Sequence, residues 1–515
     1  MPLCMCCCRS DDHLVITYLF AGDLQSITGK CGRPDMRIFS CFLIFFLLTG
    51  FPVCAQDYHA IQGSSTAGSL QVSNNPSSIL NIPDSWDVVP LALQVKNSTN
   101  AFTILRYSYL SSPQASQYRI NGGNFSRYID NNFNIRLLNA RFALGRKQAI
   151  AFGLNVRGYT AAKTGRYNFR DSVKNLRSFF LINETNPILH GQARQSAWVE
   201  LFGTYSKTLW DTEIDRLNAG ITLKWMTGAS GAFAGLENAG LQRTIRNNRI
   251  SYTLNSGTGT YGYAASLDEW KKDNSAPQNI QALLTTAQHN LAFDLGMEYI
   301  IKPQHITGFD DEDTYYDYTW KLGISLLDLG RNRYTYGSQS RKAGQFKSNV
   351  SDSTLFKKTA PVRTLRAFND SLATIVNDMV PLTGSFFINN PARLVINADH
   401  SFSEHVFVNA EVSVNLSLLG AHDAPYVNEM NVFSVTPRWE SRRFGGYLPV
   451  LYNTHGQLWV GGALRAGPLL LGVHNLSSIF AQNKTQNGGG YLAIIIKPGN
   501  RTRQRGDKRA DCPRL

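Results

Sequence analysis

Five charged side chains gather late in the sequence: Arg438, Glu440, Arg442, Arg443 and Arg465. Arg438 and Glu440 lie two residues apart, the spacing that puts both on one face of a β-strand. Arg442 and Arg443 occupy the turn that follows. Such a set can build a charge network in a lumen or at its rim, and its plainest role is structural ion pairing. Other candidate chemistry fails on spacing. His400 and His405 flank a turn with Asp399 and Glu404 but have no third ligand at a known metal spacing, so they read as turn and rim residues. Asp310-Asp311-Glu312-Asp313 lacks the glycine and alternation of a calcium loop. The clustered cysteines Cys4, Cys6, Cys7 and Cys8 have no second ligand pair. No GxSxG or HExxH occurs. The expectation is a protein that is not an enzyme and has no cofactor and no metal.

The elements that carry these residues are short and alternating. Asn431 to Asn475 reads as four strands joined by tight turns at Ser441-Arg442-Arg443, Asn453-Thr454-His455-Gly456 and Ala466-Gly467-Pro468. Between Gln457 and Arg465, Leu458, Val460 and Leu464 fall on one face, and Trp459, Ala463 and Arg465 on the other. The pattern recurs upstream. Ile150, Phe152, Leu154 and Val156 alternate with Ala151, Gly153, Asn155 and Arg157, and Leu138 to Leu144 pairs with them across Gly145-Arg146-Lys147. Ile221 and Leu223 alternate with Thr222 and Lys224, Leu295 and Met297 with Asp294 and Glu298, Leu322 and Ile324 with Lys321 and Ser325, and Val412 and Val414 with Glu411 and Asn415.

The polar faces decide between a soluble sheet and a membrane barrel. A solvent face is rich in Lys, Glu and Thr. Here it carries Gly, Ala, Ser and Asn with single charges, which suits a crowded, wet interior. Trp225, Tyr299, Tyr318, Trp320, Tyr447 and Tyr452 sit as an expected interfacial girdle on the apolar side. After residue 55 no window of about 18 apolar residues exists, so no helix spans a bilayer, and a sheet in lipid must close on itself. The reading is all-β: a closed antiparallel transmembrane β-barrel of about 14 strands, with a range of roughly 12 to 16. Its long loops include one amphipathic helical insertion.

Composition agrees. Of 515 residues, 17% are charged, with 42 Gly and 22 Tyr, and the net charge is +14. The first 55 residues hold four basic and four acidic side chains, so removing them leaves that charge unchanged. Met36-Arg37, the apolar run Ile38 to Leu48 and Val53-Cys54-Ala55 form a secretory signal, with cleavage expected before Gln56. Residues 1–35 read as an upstream extension from a misplaced start. Of eight cysteines only Cys512 follows that point, so the mature fold needs no disulfide. Residues 56–85 are a small, turn-rich lead-in able to lie inside a barrel mouth, 86–497 form the barrel, and 498–515 are a basic tail. Three insertions interrupt the ladder: Ala161 to Gln195, with a helical segment from Asn175 to Ile188; Gly228 to Gln288; and Asn332 to Asn390. In the third, Leu365, Phe368, Leu372, Ile375 and Met379 recur at helical spacing between Pro361 and Pro381 and predict a lid helix over Leu365 to Met379.

Asn75-Pro76 followed by small residues resembles the start of fatty-acid-transporter-like barrels, and several later motifs together resemble an outer-membrane barrel family of unknown function found in Bacteroidota. They are Phe293-Asp294-Leu295-Gly296-Met297-Glu298-Tyr299, Lys321 to Gly330, Thr436-Pro437-Arg438-Trp439-Glu440, Gly446-Tyr447-Leu448-Pro449 and Leu464-Arg465-Ala466-Gly467-Pro468-Leu469. The resemblance implies fold and location in the cell outer membrane, and carries no activity with it. Two functions follow as expectations: a transporter or channel-like barrel for a small solute or lipid, or a structural or accessory barrel that scaffolds envelope or secretion partners. Outer-membrane lipid is the expected partner, with envelope proteins beside it and no nucleic acid.

Overall fold

The alternation closes a barrel. In the computed structural model, the described residues are 59–106, 117–246, 249–271, 273–303, 315–347, 350–416, 425–480 and 486–498. The signal segment, the cysteines, the acidic run at 310–313 and nearly all of the basic tail lie outside them.

Fourteen antiparallel strands form the wall. They are β1 (Trp86–Thr99), β2 (Gly123–Ala143), β3 (Gln148–Phe169), β4 (Ile188–Asp211), β5 (Asp215–Arg246), β6 (His289–Ile301) and β7 (Trp320–Thr335). Then come β8 (Arg393–Ser401), β9 (Val406–Asn415), β10 (Val432–Glu440), β11 (Phe444–Tyr447 with Val450–Asn453), β12 (Leu458–Val460 with Gly462–Ala466), β13 (Leu469–Val473) and β14 (Asn487–Ile496). Each pairs with the next, and β1 closes the ring: Leu93 stands opposite both Ile135 of β2 and Leu492 of β14. The described strands thus close on themselves, the condition for a sheet in lipid, with the β6–β7 ladder ending at Ala292 and Gly330. One end carries short turns, at residues 144–147, 212–214, 402–405, 441–443 and 467–468; most of the long connections leave the other.

The faces sort as the two-residue period requires. Ile221, Leu295, Leu458 and Leu464 are 50%, 40%, 66% and 72% exposed, whereas Thr222, Asp294, Trp459 and Arg465 are buried. Only lipid makes such an outward apolar band stable. Trp225, Trp320 and Tyr452 stand exposed on it. Tyr318 and Tyr447 do not belong to that girdle. Tyr318 precedes the first residue of β7, so the strand count does not reach it, and its hydroxyl bonds Asp399 and Arg438 at 3.0 Å each. Tyr447 shares the inward parity of Gly445 and Leu451 and is buried.

The insertions differ from the sequence expectation. β5 runs for 32 residues, far past the roughly 9–11 a membrane needs, so much of Gly228 to Gln288 is strand standing above the bilayer. Its upper half, Gly/Ala-rich and lacking an apolar stripe, reads as loop. Ala161 to Gln195 likewise holds the ends of β3 and β4 around α1 (Leu176–Ile182), which Asn175 caps. With α2 (Ala276–Thr285) and α3 (Asp352–Thr359), the long-loop end builds a folded cap. The expected lid helix is shorter than its stripe: α4 is Leu365–Ala373. Ile375 lies past its end, and Met379 pairs with Ala343 in a small strand. Leu372, Ile375 and Val376 pack with Val350 and Ala343, so the helix is part of the cap's own core and does not enter the lumen.

An arginine at Leu154, on the lipid side of β3, should cost about 2–4 kcal/mol near the midplane. The sequence reading would tolerate the same change at Asn155. The structure does not, because Asn155 is buried and its amide bonds Glu200 at 2.9 Å. Urea titration of the refolded barrel should show both variants weakened; cysteines at Ile221 and Leu295 should react with a lipid-phase reagent, and one at Thr222 should not.

Candidate functional site: the plugged lumen

Residues 59–85, the described part of the expected lead-in 56–85, fill the short-turn half of the barrel. Three 3₁₀ turns, His59–Ile61, Gly68–Ser73 and Pro76–Leu80, make up most of the segment. Gly, Ser and Asn disfavour a long helix here, and Asn75 starts the last turn by accepting from the amide of Ser77 at 3.0 Å ahead of Pro76 at the first position. Short turns leave many carbonyls untied. The barrel wall meets those carbonyls with cations. Arg136 donates to the carbonyl of Leu70 at 2.8 Å and Arg393 to that of Ser73 at 2.9 Å. Lys321 and Arg438 both reach the carbonyl of Gly63. Arg141 collects three carbonyls, of Ile79, Asp84 and Ile82, at 2.6, 2.6 and 3.1 Å.

The wall's acids take the plug's donors. Asn74 donates to Glu411 at 2.9 Å, Ser78 to Glu298 at 3.1 Å and the amide of Ser69 to Asp87 at 2.6 Å. Asn81 also bonds Glu298, and Ser64 bonds Glu440. Apolar contacts complete the seat. Ile61 and Leu70 pack on Val89, Leu470 and Tyr491, and Val72, Ile79 and Leu80 pack on Ala149, Ala151 and Phe202. Small inward residues make the room. A Cβ on Gly220 would come within 2.6 Å of the backbone of Pro76, and one on Gly296 within 2.1 Å of Asn75 Oδ1. Gly63 itself sits at φ +75, where a Cβ would also meet Asp399.

Above the plug lies a layer of buried charge. Arg157 pairs with Asp328 at 2.8 Å and Glu200 at 3.4 Å; Lys224 bridges Asp294 at 2.7 Å and Asp328 at 2.6 Å. Trp198 Nε1 donates to Glu200 at 2.9 Å. On the opposite wall Glu429 pairs with Lys96 and, at 3.7 Å, with Arg393. In the Arg157–Lys224 cluster two cations and three carboxylates thus share one buried pocket, a set that holds only while every member is present. Higher still, Tyr159, Trp198, Met226, Tyr334, Phe386, Ile388 and Val427 form an apolar stopper. Tyr159 stacks on Trp198 at 5.5 Å, and Phe386 lies 5.4 Å from Tyr334. Within the plug, a cavity of about 20 Å³ lies beside Gln71 and Arg393, room for about one water.

The sequence-derived cluster divides among these parts. Arg438 forks onto Asp399 at 2.7 and 2.9 Å and reaches Glu440 at 3.4 Å, placing both against the plug. Arg465, on β12, instead ties down the neighbouring β10–β11 turn, donating to the carbonyls of Ser441 and Phe444 at 2.6 and 3.3 Å. Arg442 and Arg443 are exposed in the turn. His400 lies in the aromatic belt, 4.3 Å from Trp320, and His405 is exposed. Among the described residues no group of His, Cys, Asp or Glu is placed to hold a metal. Arg136, Arg141, Arg157 and Glu200 escaped the sequence reading as site residues. Their only signal was a lone charge at an inward position.

Fold and lumen together define an outer-membrane-type β-barrel with an internal plug. The chain belongs to the family of unknown function DUF5723, whose model matches residues 88–473. No curated protein matches it. Among solved structures it is similar to a FadL homologue of Pseudomonas aeruginosa, with 9% identity, a TM-score of 0.39, and coverage of 86% of this chain and 98% of that one. It is also similar to the toluene transporter TbuX of Ralstonia pickettii (12% identity, TM-score 0.38, 84% and 93% covered) and to the toluene transporter TodX of Pseudomonas putida (11%, 0.34, 83% and 92%).

Arg141→Met should orphan three carbonyls and leave Asp87, 3.6 Å away and fully buried, without its charge partner. The expected loss is about 3–5 kcal/mol. It should be read as a lower temperature for the gel-mobility shift of the folded barrel, and adding Asp87→Asn should restore part of it.

Proposed function

We propose that the protein resides in the cell outer membrane, exported by the signal at Met36 to Ala55, and acts as a gated transport barrel for a small solute or lipid. The observation that carries this reading is the plug. About eight strands can fill their interior with their own side chains, and wider barrels enclose a cavity or channel. This wall has fourteen strands, and its lumen is filled instead by a separate segment held through carbonyls and carboxylates that water could replace. Expelling it whole would expose Ile61, Leu70, Val72, Ile79 and Leu80, at roughly 1.5–3 kcal/mol each for full exposure. Opening therefore proceeds by local release of one turn, with the rest of the segment seated.

The double closure favours a second reading, a structural or accessory barrel that scaffolds envelope partners without transport. Plug and apolar stopper are separate seals, more than a single gate requires. Planar-bilayer recordings distinguish the two. The full chain should be silent, and removing residues 59–83 together with Tyr334→Ala and Phe386→Ala should give steady conductance. Removing only Pro361 to Pro381 should leave the silent state unchanged, since both seals lie beneath α4. A folded double-opened barrel that stays silent would favour the accessory reading.

A further inference from the structure

The ladder between β6 and β7 stops before the long-loop end. Ala292 pairs with Gly330, and the register slips between Phe293 and Leu295 because β7 carries extra chain there. At this bulge Asp328 takes φ +59, and Leu327 and Asp328 are both buried. Beyond it, His289, Asn290 and Leu291 pair only with β5. On the other edge of β7, in register with β8, Arg331 to Thr335 pairs with the strand Ser385–Asn389, and among the described residues the β6 edge has no ladder there. The walls part, and a recess of about 520 Å³ opens, lined by Leu223, Leu291, Phe293 and Leu329 together with Arg331 and Asn389. It is a shallow recess, open toward the lipid side. Leu223, Leu291 and Phe293 are 59%, 58% and 44% exposed, so the recess belongs to the lipid-facing wall.

Two guanidinium groups stand beside it. Along β7 the residues Arg331 and Arg333 are exposed while Asn332 and Tyr334 are buried. Arg331 lies 4.2 Å over the ring of Phe387, and Arg333 Nε donates to Ser385 at 3.1 Å. Among the described residues neither pairs with a carboxylate. On the same strand face the apolar band runs through Leu322 and Ile324. Snorkelling accounts for an arginine at the edge of such a band, but not for a recess below two of them.

We infer that this recess seats one acyl chain of an anionic phospholipid, whose phosphate group is held by Arg331 and Arg333. The apolar lining takes the chain, and planar guanidinium groups suit a phosphate in bidentate geometry. The inference needs only the lipid-facing wall and is independent of whether the lumen conducts. The test is native mass spectrometry of the full chain released from micelles doped equally with phosphatidylglycerol and phosphatidylcholine. One phosphatidylglycerol should be retained per barrel, favoured roughly tenfold. Arg331→Gln with Arg333→Gln should abolish that preference, and Leu291→Trp, which fills the recess, should abolish retention of both lipids. Lys163→Gln, an exposed cation on β3, should change nothing. All changed residues are exposed, and the gel-mobility shift confirms each variant is folded. Equal retention of the two lipids by the native chain, retention of neither, or an undiminished preference in the double arginine variant would overturn the proposal.

Discussion

Hydrogen-bond satisfaction inside a wide barrel is the constraint on which the rest of this structure depends. Fourteen strands turn polar side chains into a space that those side chains cannot fill, and buried polar groups without partners are costly. Residues 59–85 resolve this because short 3₁₀ turns present carbonyls instead of consuming them. Lys321, Arg136, Arg393 and Arg141 each find one or more of those carbonyls, while Glu298, Glu411, Glu440 and Asp87 take the segment's amides and hydroxyls. Wall and plug are complementary in polarity, so neither is satisfied alone.

The wall is shaped by the same requirement. Gly220 and Gly296 leave the volume that Asn75 and Pro76 occupy. The bulge at Asp328 turns an extra carboxylate inward, where Arg157 and Lys224 hold it. That bulge also changes the outer surface, since the ladder between β7 and its neighbour β6 ends just beyond it. One local irregularity thus serves the buried charge layer on the inside and opens the recess beside Arg331 on the outside.

Much of the wall was legible in the sequence because lipid enforces a strict two-residue period. Ile221 against Thr222, and Leu464 against Arg465, sort correctly without any tertiary information. The period misleads where the strand has not begun, as at Tyr318. The upper half of β5 reads as loop because its Gly and Ala residues make no apolar stripe, although Phe233, Leu236, Ala239 and Leu241 pack into buried clusters there. The apolar spacing around α4 overstates the helix, since Ile375 and Met379 meet the same cap core from a turn and a short strand. The lumenal network was the least legible part. Arg141 and Ile79 lie far apart in sequence, and no local pattern announces that a wall cation will meet a plug carbonyl. Only the prevalence of Gly, Ser and Asn on inward faces, and a small turn-rich segment ahead of Trp86, hinted that something was to be housed.

Amide hydrogen exchange over residues 60–82 of the refolded full chain, read by mass spectrometry alongside β3 and β6, tests the central claim most directly. If the segment is locked between wall cations and wall acids, its peptides should exchange nearly as slowly as those strands, since opening to exchange then requires sub-global unfolding. Exchange at the rate of an unprotected chain, with the strands still protected, would contradict the account.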